Sequence, residues 1–275
     1  MLVLPFRAVQ SKILMALATA LLLTACTKDM GKNEQPESSA LSLMGKANQA
    51  QKFNTFYGPQ VQVGDGKARS FIIISHAGVP MELGVEMTSG SMTGLPESQH
   101  LSAFTLPLHQ KALDATPFNH IVVNWNEHGH PPFHLFSESH FDFHFYTISE
   151  AAQMAIPAYT PNSAHDILPA PAYRPAGYVP GPGGEAMMGK HWSDITNPVN
   201  PGTFTHTMIY GSYNGSIIFL EPMITRAFLQ SGSSVTKAFG QPAQYAETGT
   251  YYPQDYNIRM EGSKHYVTLS RFALR

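Results

Sequence analysis

A chain of 275 residues with a formal net charge of −2 can bury a sizeable core and offers no basic surface to nucleic acid. Its one cysteine, Cys26, excludes a disulfide framework and a structural zinc–thiolate site. Only 13% of residues are charged, while 22 Gly and 21 Pro suit strands and loops better than a helical bundle.

The N-terminus reads as a targeting segment. Arg7 and Lys12 give a positive start, residues 13–23 form an apolar run, and Leu23-Thr24-Ala25-Cys26 follows. That run is too short for a hydrocarbon core of about 30 Å and has the order of a secretory signal. The Leu-Thr-Ala-Cys tetrad resembles the lipobox of bacterial lipoproteins, which implies removal of residues 1–25 and lipidation of Cys26. The implied location is the cell envelope, lipid-anchored at the periplasmic or extracellular face, with the membrane as a partner through several acyl chains. Loss of Arg7 and Lys12 moves the formal charge from −2 to −4, so nucleic acid stays excluded as a partner. The polar stretch after Cys26 is expected to be a tether covering residues 26–55, with a mean reach of about 25–30 Å. A short helix is possible near 41–51.

Beyond it the apolar pattern predicts a single β-rich domain over 56–275. Val61 and Val63 alternate with polar residues before a Gly64-Asp65-Gly66 turn. Strands are predicted at 70–75 (SFIIIS), 81–87, 103–108, 120–125 (HIVVNW) and 140–147 (HFDFHFYT). Ser149 can cap a short helix that Pro157 ends. Residues 157–184 hold seven prolines and four glycines without a period. The tyrosines Tyr159, Tyr173 and Tyr178 favour an ordered loop over the sheet. Asn214-Gly215 between two β-rich runs predicts a hairpin in which Tyr213 faces Ser216. Unbroken pairing from that turn puts His206, Met208 and Tyr210 on one face with Phe219, Glu221 and Met223. A helix near 226–231 and a strand near 265–272 complete the pass.

The densest chemistry lies at 128–146, HGHPPFHLFSESHFDFHFY, which holds five of the thirteen histidines. His140, Asp142 and His144 alternate with phenylalanines, a period of two, so the segment reads as a strand. Residues four apart on a strand are about 13 Å apart, so His140 and His144 do not comfortably share an ion. Asp142 with one flanking histidine can. His128 and His130 are the natural further donors, since Gly129 and Pro131-Pro132 suggest a bend back toward that strand. His191, in the Gly-rich MGKHW segment, can be presented from a loop. The metal candidates are therefore His128, His130, His140, Asp142, His144 and His191. His206 and Glu221 are candidates for the shell behind them. Nitrogen and oxygen donors without sulfur suit one divalent Zn, Fe, Mn, Ni or Cu ion. Neither a cupin nor a carbonic-anhydrase spacing fits. No nucleophile elbow, P-loop or dinucleotide fingerprint is present, so a catalytic residue and a reaction stay unassigned. The alternative is a polar sheet face in a non-catalytic ligand-binding or oligomeric structural envelope protein with no metal.

WNEHGHPP at 125–132, HFDFHFY at 140–146, MGKHW at 188–192, THTMIYGSYNG at 205–215 and EPMIT at 221–225 together resemble a bacterial family of exported proteins. The family is known by a domain of unknown function, the "TTHB two-ten-like" domain. The resemblance implies a β-rich domain across about residues 56 to 275 and no established activity. All eight candidates fall inside these motifs and His134 does not. Where the family usually has proline, this chain has Glu127. The expected fold is mainly β, a β-rich α+β arrangement of antiparallel, barrel-like sheet with a few short helices.

Overall fold

A computed structural model describes residues 53–97 and 102–275. Cys26, the signal segment and the expected helix near 41–51 lie outside the described residues.

The strands in chain order are β1 Phe53–Tyr57, β2 Val61–Val63, β3 Gly66–Ser75, β4 Pro80–Thr88, β5 Ser102–Pro107, β6 His120–Asn126, β7 His140–Tyr146 and β8 Tyr178–Pro180. They continue as β9 Lys190–Asp194, β10 His206–Tyr213, β11 Ser216–Thr225, β12 Val235–Ala238, β13 Tyr251–Tyr252, β14 Asp255–Glu261, β15 Lys264–Ser270 and β16 Ala273–Leu274. Among the described residues four short α-helices punctuate them: α1 Gln110–Ala115, α2 Phe133–Phe136, α3 Glu150–Met154 and α4 Arg226–Gln230. One antiparallel sheet runs β1-β3-β4-β15-β14-β12, with β2 also on β3. The other runs β5-β6-β7-β11-β10-β9-β8, and β13-β16 form a small ribbon. The β-rich, antiparallel expectation holds. The sheets stay open rather than closing into a barrel, and they pack as the two layers of a sandwich.

The core shows why. Ile72, Leu83, Val85 and Val267 come from the first sheet, and Ile121, Val123, Phe143 and Leu220 from the second, all within one buried cluster. Facing sheets filled by alternate side chains are the usual solution for strands with one apolar face. The tether expected up to residue 55 overlaps β1, because Phe53–Tyr57 pairs with β3 from Phe53↔Ser75 to Tyr57↔Phe71. Ser149 caps α3 as expected, its Oγ accepting from Ala152 N at 3.2 Å. The Pro/Gly stretch is ordered through two 3-10 turns and β8. Its anchor is Lys190, which donates to Gly183 O at 2.6 Å and pairs with Asp166 at 3.1 Å.

The hairpin departs from unbroken pairing. Tyr213↔Ser216 and Ser212↔Ile217 follow the two-residue turn, but Gly211 then faces Phe219. Ile218 is the extra residue of a β-bulge, and such an insertion shifts every later pair by one. Glu221 therefore faces Ile209 rather than Met208, and His206 leaves the face that carries Glu221. His206 instead bonds Tyr256 Oη of the other sheet at 2.8 Å. A Cβ at Gly211 would meet the Phe219 ring at 2.0 Å, so only glycine lets that ring lie across β10.

Candidate metal centre

Strands β6 and β7 of the second sheet are buried on both faces, and every residue of each is buried. The phenylalanines of β7 enter the core. His140, Asp142 and His144 therefore lie on the opposite face, beside Asn126, Asn124 and Val122 of β6. On the other flank β11 pairs Met223 with Asp142 and Phe219 with Tyr146, which sets Glu221 beside His144. Gly211↔His191 pairing brings His191 onto the same face.

Two groups of three donors result. His130, His140 and Asp142 form one, and His144, His191 and Glu221 the other, each with ligand atoms within 4.8 Å of one another. His140 and His144 fall in different groups, as the rise of a strand requires. In the first group Asp142 Oδ1 lies 3.2 Å from His140 Nε2 and Oδ2 lies 3.6 Å from His130 Nε2. In the second, Glu221 Oε1 lies 3.4 Å from His144 Nε2 and Oε2 lies 3.6 Å from His191 Nε2.

Local folding explains which histidine enters. Gly129 has φ of 66°, and a Cβ there would sit 2.0 Å from Phe136 O. This left-handed residue turns the chain so that His130 N bonds Phe136 O at 3.0 Å and the His130 ring packs on His140. The same turn breaks the extended chain that would have put both imidazoles on one side. His128 is consequently 68% exposed beside Glu127 and joins neither group. Of the candidates, His130, His140, Asp142, His144 and His191 come together. Glu221, expected behind the candidate donors, stands among them. His206 lies on the opposite, interior face of the same sheet. Asn124 and Asn126 went unnoticed in the sequence, although NWN continues the period of two that marks HFDFH.

The first group is held from behind. His130 Nδ1 lies 2.8 Å from Pro131 O, and His140 Nδ1 lies 2.7 Å from Glu138 O. A carbonyl can only accept, so both Nδ1 atoms carry the proton and both Nε2 atoms offer a lone pair. Asn126 donates to Asp142 Oδ2 at 2.7 Å. Eleven buried side-chain polar atoms among the described residues lack a hydrogen-bond partner. Six belong to this one face: Asn124 Oδ1, His140 Nε2, Asp142 Oδ1, both His144 nitrogens and Glu221 Oε2. Each such group costs about 1–3 kcal/mol when left unpaired, so their concentration here points to a ligand.

The electrostatics differ between the groups. Burial would raise the Asp142 carboxyl, but the His140 and His130 imidazoles hold it well below the usual range. Burial also opposes the charged form of His130, yet Asp142 keeps its pKa above 6.5. In the second group burial, reinforced by the Asp142 charge, pushes Glu221 well above 4.5. Burial takes His144 down to about 3 and His191 to about 4.

The metal-free protein should accordingly weaken in acid. His144 and His191 have folded values below their ordinary 6.5, so their contribution is full above about pH 6.5 and is lost as pH falls toward 3–4. His206 and His265, also lowered by burial, share that sign, while His130 and Glu221 are raised and have the opposite one, four groups against two; Asp142 matters only below its ordinary 3.8. The urea midpoint of chelator-treated protein is expected to fall between pH 7.5 and pH 5. An unchanged or rising midpoint contradicts it.

The fold and this face together define an antiparallel β-sandwich with a buried histidine–carboxylate cluster. Residues 75–125 match the model of the TTHB210-like family, described as "Hypothetical protein TTHB210". The resemblance expected over about residues 56 to 275 is thus shown over 75–125, a segment that holds none of the six clustered donors. No curated protein and no solved structure matches the chain.

Proposed function

We propose that this chain is a lipid-anchored envelope protein that binds divalent transition-metal ions through His130, His140 and Asp142 and through His144, His191 and Glu221. One observation carries the metal reading: six buried polar atoms without a hydrogen bond, four of them facing another donor of the cluster at 3.2–3.6 Å, converge on one sheet face. Each group supplies two imidazoles and one carboxylate, a donor set suited to Zn, Fe, Mn, Ni or Cu. Three protein donors leave coordination positions for water or a small ligand, as catalytic rather than structural sites do. The anchoring half rests on the leader and the Leu-Thr-Ala-Cys tetrad.

The metal half is tested by elemental analysis of the full chain, purified without a histidine tag and reconstituted with each metal in turn. The expected result is stoichiometric metal, approaching two ions per chain. No metal on isolation and none after reconstitution sinks the reading. The anchor is tested by Cys26→Ser. Release from the membrane fraction is expected, and retention in it counts against lipidation.

A further inference from the structure

We infer that the two triads, each holding an ion as proposed above, act as one site that grips a small oxyanion between them. The ligand class is inorganic phosphate or a carboxylate, one oxygen on each ion.

Spacing comes first. Asp142 and His144 are two apart on one face of β7, so their backbones stand about 6–7 Å apart, and this sets the scale of the spacing between the triads they belong to. That exceeds the ~3.5–4 Å of paired ions that share one bridging oxygen. It suits an O–X–O unit with a metal–oxygen bond of about 2 Å at each end.

The protein provides no bridge of its own. Both oxygens of Asp142 face histidines of the first triad, at 3.2 and 3.6 Å. Both oxygens of Glu221 face histidines of the second, at 3.4 and 3.6 Å. Each carboxylate is therefore committed within its triad.

Charge and access point the same way. Two divalent ions against two carboxylates leave a surplus of positive charge. The rings around it are apolar: Phe204 stands 5.2 Å from His140 and Phe219 stands 5.5 Å from His191. An uncompensated charge in such surroundings is costly, and an anion offsets it. The side chains of His130 and His191 are 33% and 30% exposed, whereas the other four donors are at most 5% exposed. One partly exposed histidine in each triad marks a common open side through which an anion can enter.

The test uses the full chain loaded with stoichiometric Zn²⁺, titrated calorimetrically with inorganic phosphate and separately with acetate. One anion per two-ion chain is expected, with the preferred anion identifying the class. Glu221→Gln and Asp142→Asn, each disabling a different triad with little change in volume, are expected to weaken that anion at least tenfold. Two bound ions without binding of either anion overturns the inference and leaves metal binding standing. Wild-type anion affinity in either single-ion variant also overturns it, since one ion would then suffice. Absence of bound Zn²⁺ removes the metal reading itself.

Discussion

Asp142→Asn is expected to lower the number of tightly held divalent ions per chain from two to one. Asparagine keeps the shape and a carbonyl oxygen, but it removes the only negative charge of the first triad. The loss falls on the better prepared of the two sites. His130 and His140 already present Nε2 lone pairs because their Nδ1 atoms are committed to backbone carbonyls. Asn126 fixes the carboxylate from behind at 2.7 Å. Removing one supporting partner of a metal ligand typically costs 10–100-fold in affinity, so replacing the charged ligand itself should cost about 100-fold or more. Competition with a chromophoric chelator, alongside elemental analysis, reads both the affinity and the stoichiometry. Unchanged circular dichroism separates loss of a ligand from loss of fold. A variant that still holds two ions at wild-type affinity removes Asp142 from the site.

Phe143→Ala is expected to be the most damaging single change outside the polar face. Phe143 is fully buried on β7 and belongs to the cluster shared by both sheets. Truncating a buried phenylalanine usually costs about 3–5 kcal/mol, because the lost transfer energy is joined by a cavity the neighbours cannot fill. For a domain of this size that corresponds to a drop in melting temperature on the order of 10 °C. Thermal and urea unfolding should agree. His134→Ala, at an exposed position of α2, serves as the comparison and should stay within about 0.5 kcal/mol of wild type. A Phe143 variant as stable as that control would mean the interior is not where the two sheets meet.

Much of this was legible in the residues. HFDFHFYT reads as a strand because its period is two, and that period alone puts the phenylalanines and the imidazoles on opposite faces. The Asn214-Gly215 turn and the Ser149 cap are local signals with local consequences, so they appear where expected. Closure of the sheets was not legible. Whether strands curl into a barrel or stack as a sandwich depends on pairings such as β4 with β15, residues far apart in sequence. The short β1, β8 and β9 strands sit at or near sheet edges, where few residues carry the pattern. At the site, the separation of His128 from His130 hinges on the sign of one dihedral at Gly129. The parting of His206 from Glu221 hinges on one unpaired residue, Ile218, which carries no compositional mark.

That residue works as a parity switch. On the turn side of Ile218 the hairpin counts its faces one way, and beyond it the other way. The strand LEPMIT thus sends Glu221 to the histidine–carboxylate cluster and Leu220 to the oily interior. Removing one residue there would exchange the two sets with no change in chemical make-up elsewhere. A gap of a single position at this point in a related chain is then a change of active face rather than a trivial difference in length. The clustered carboxylate would be gained or lost in one insertion event, with every histidine still in place.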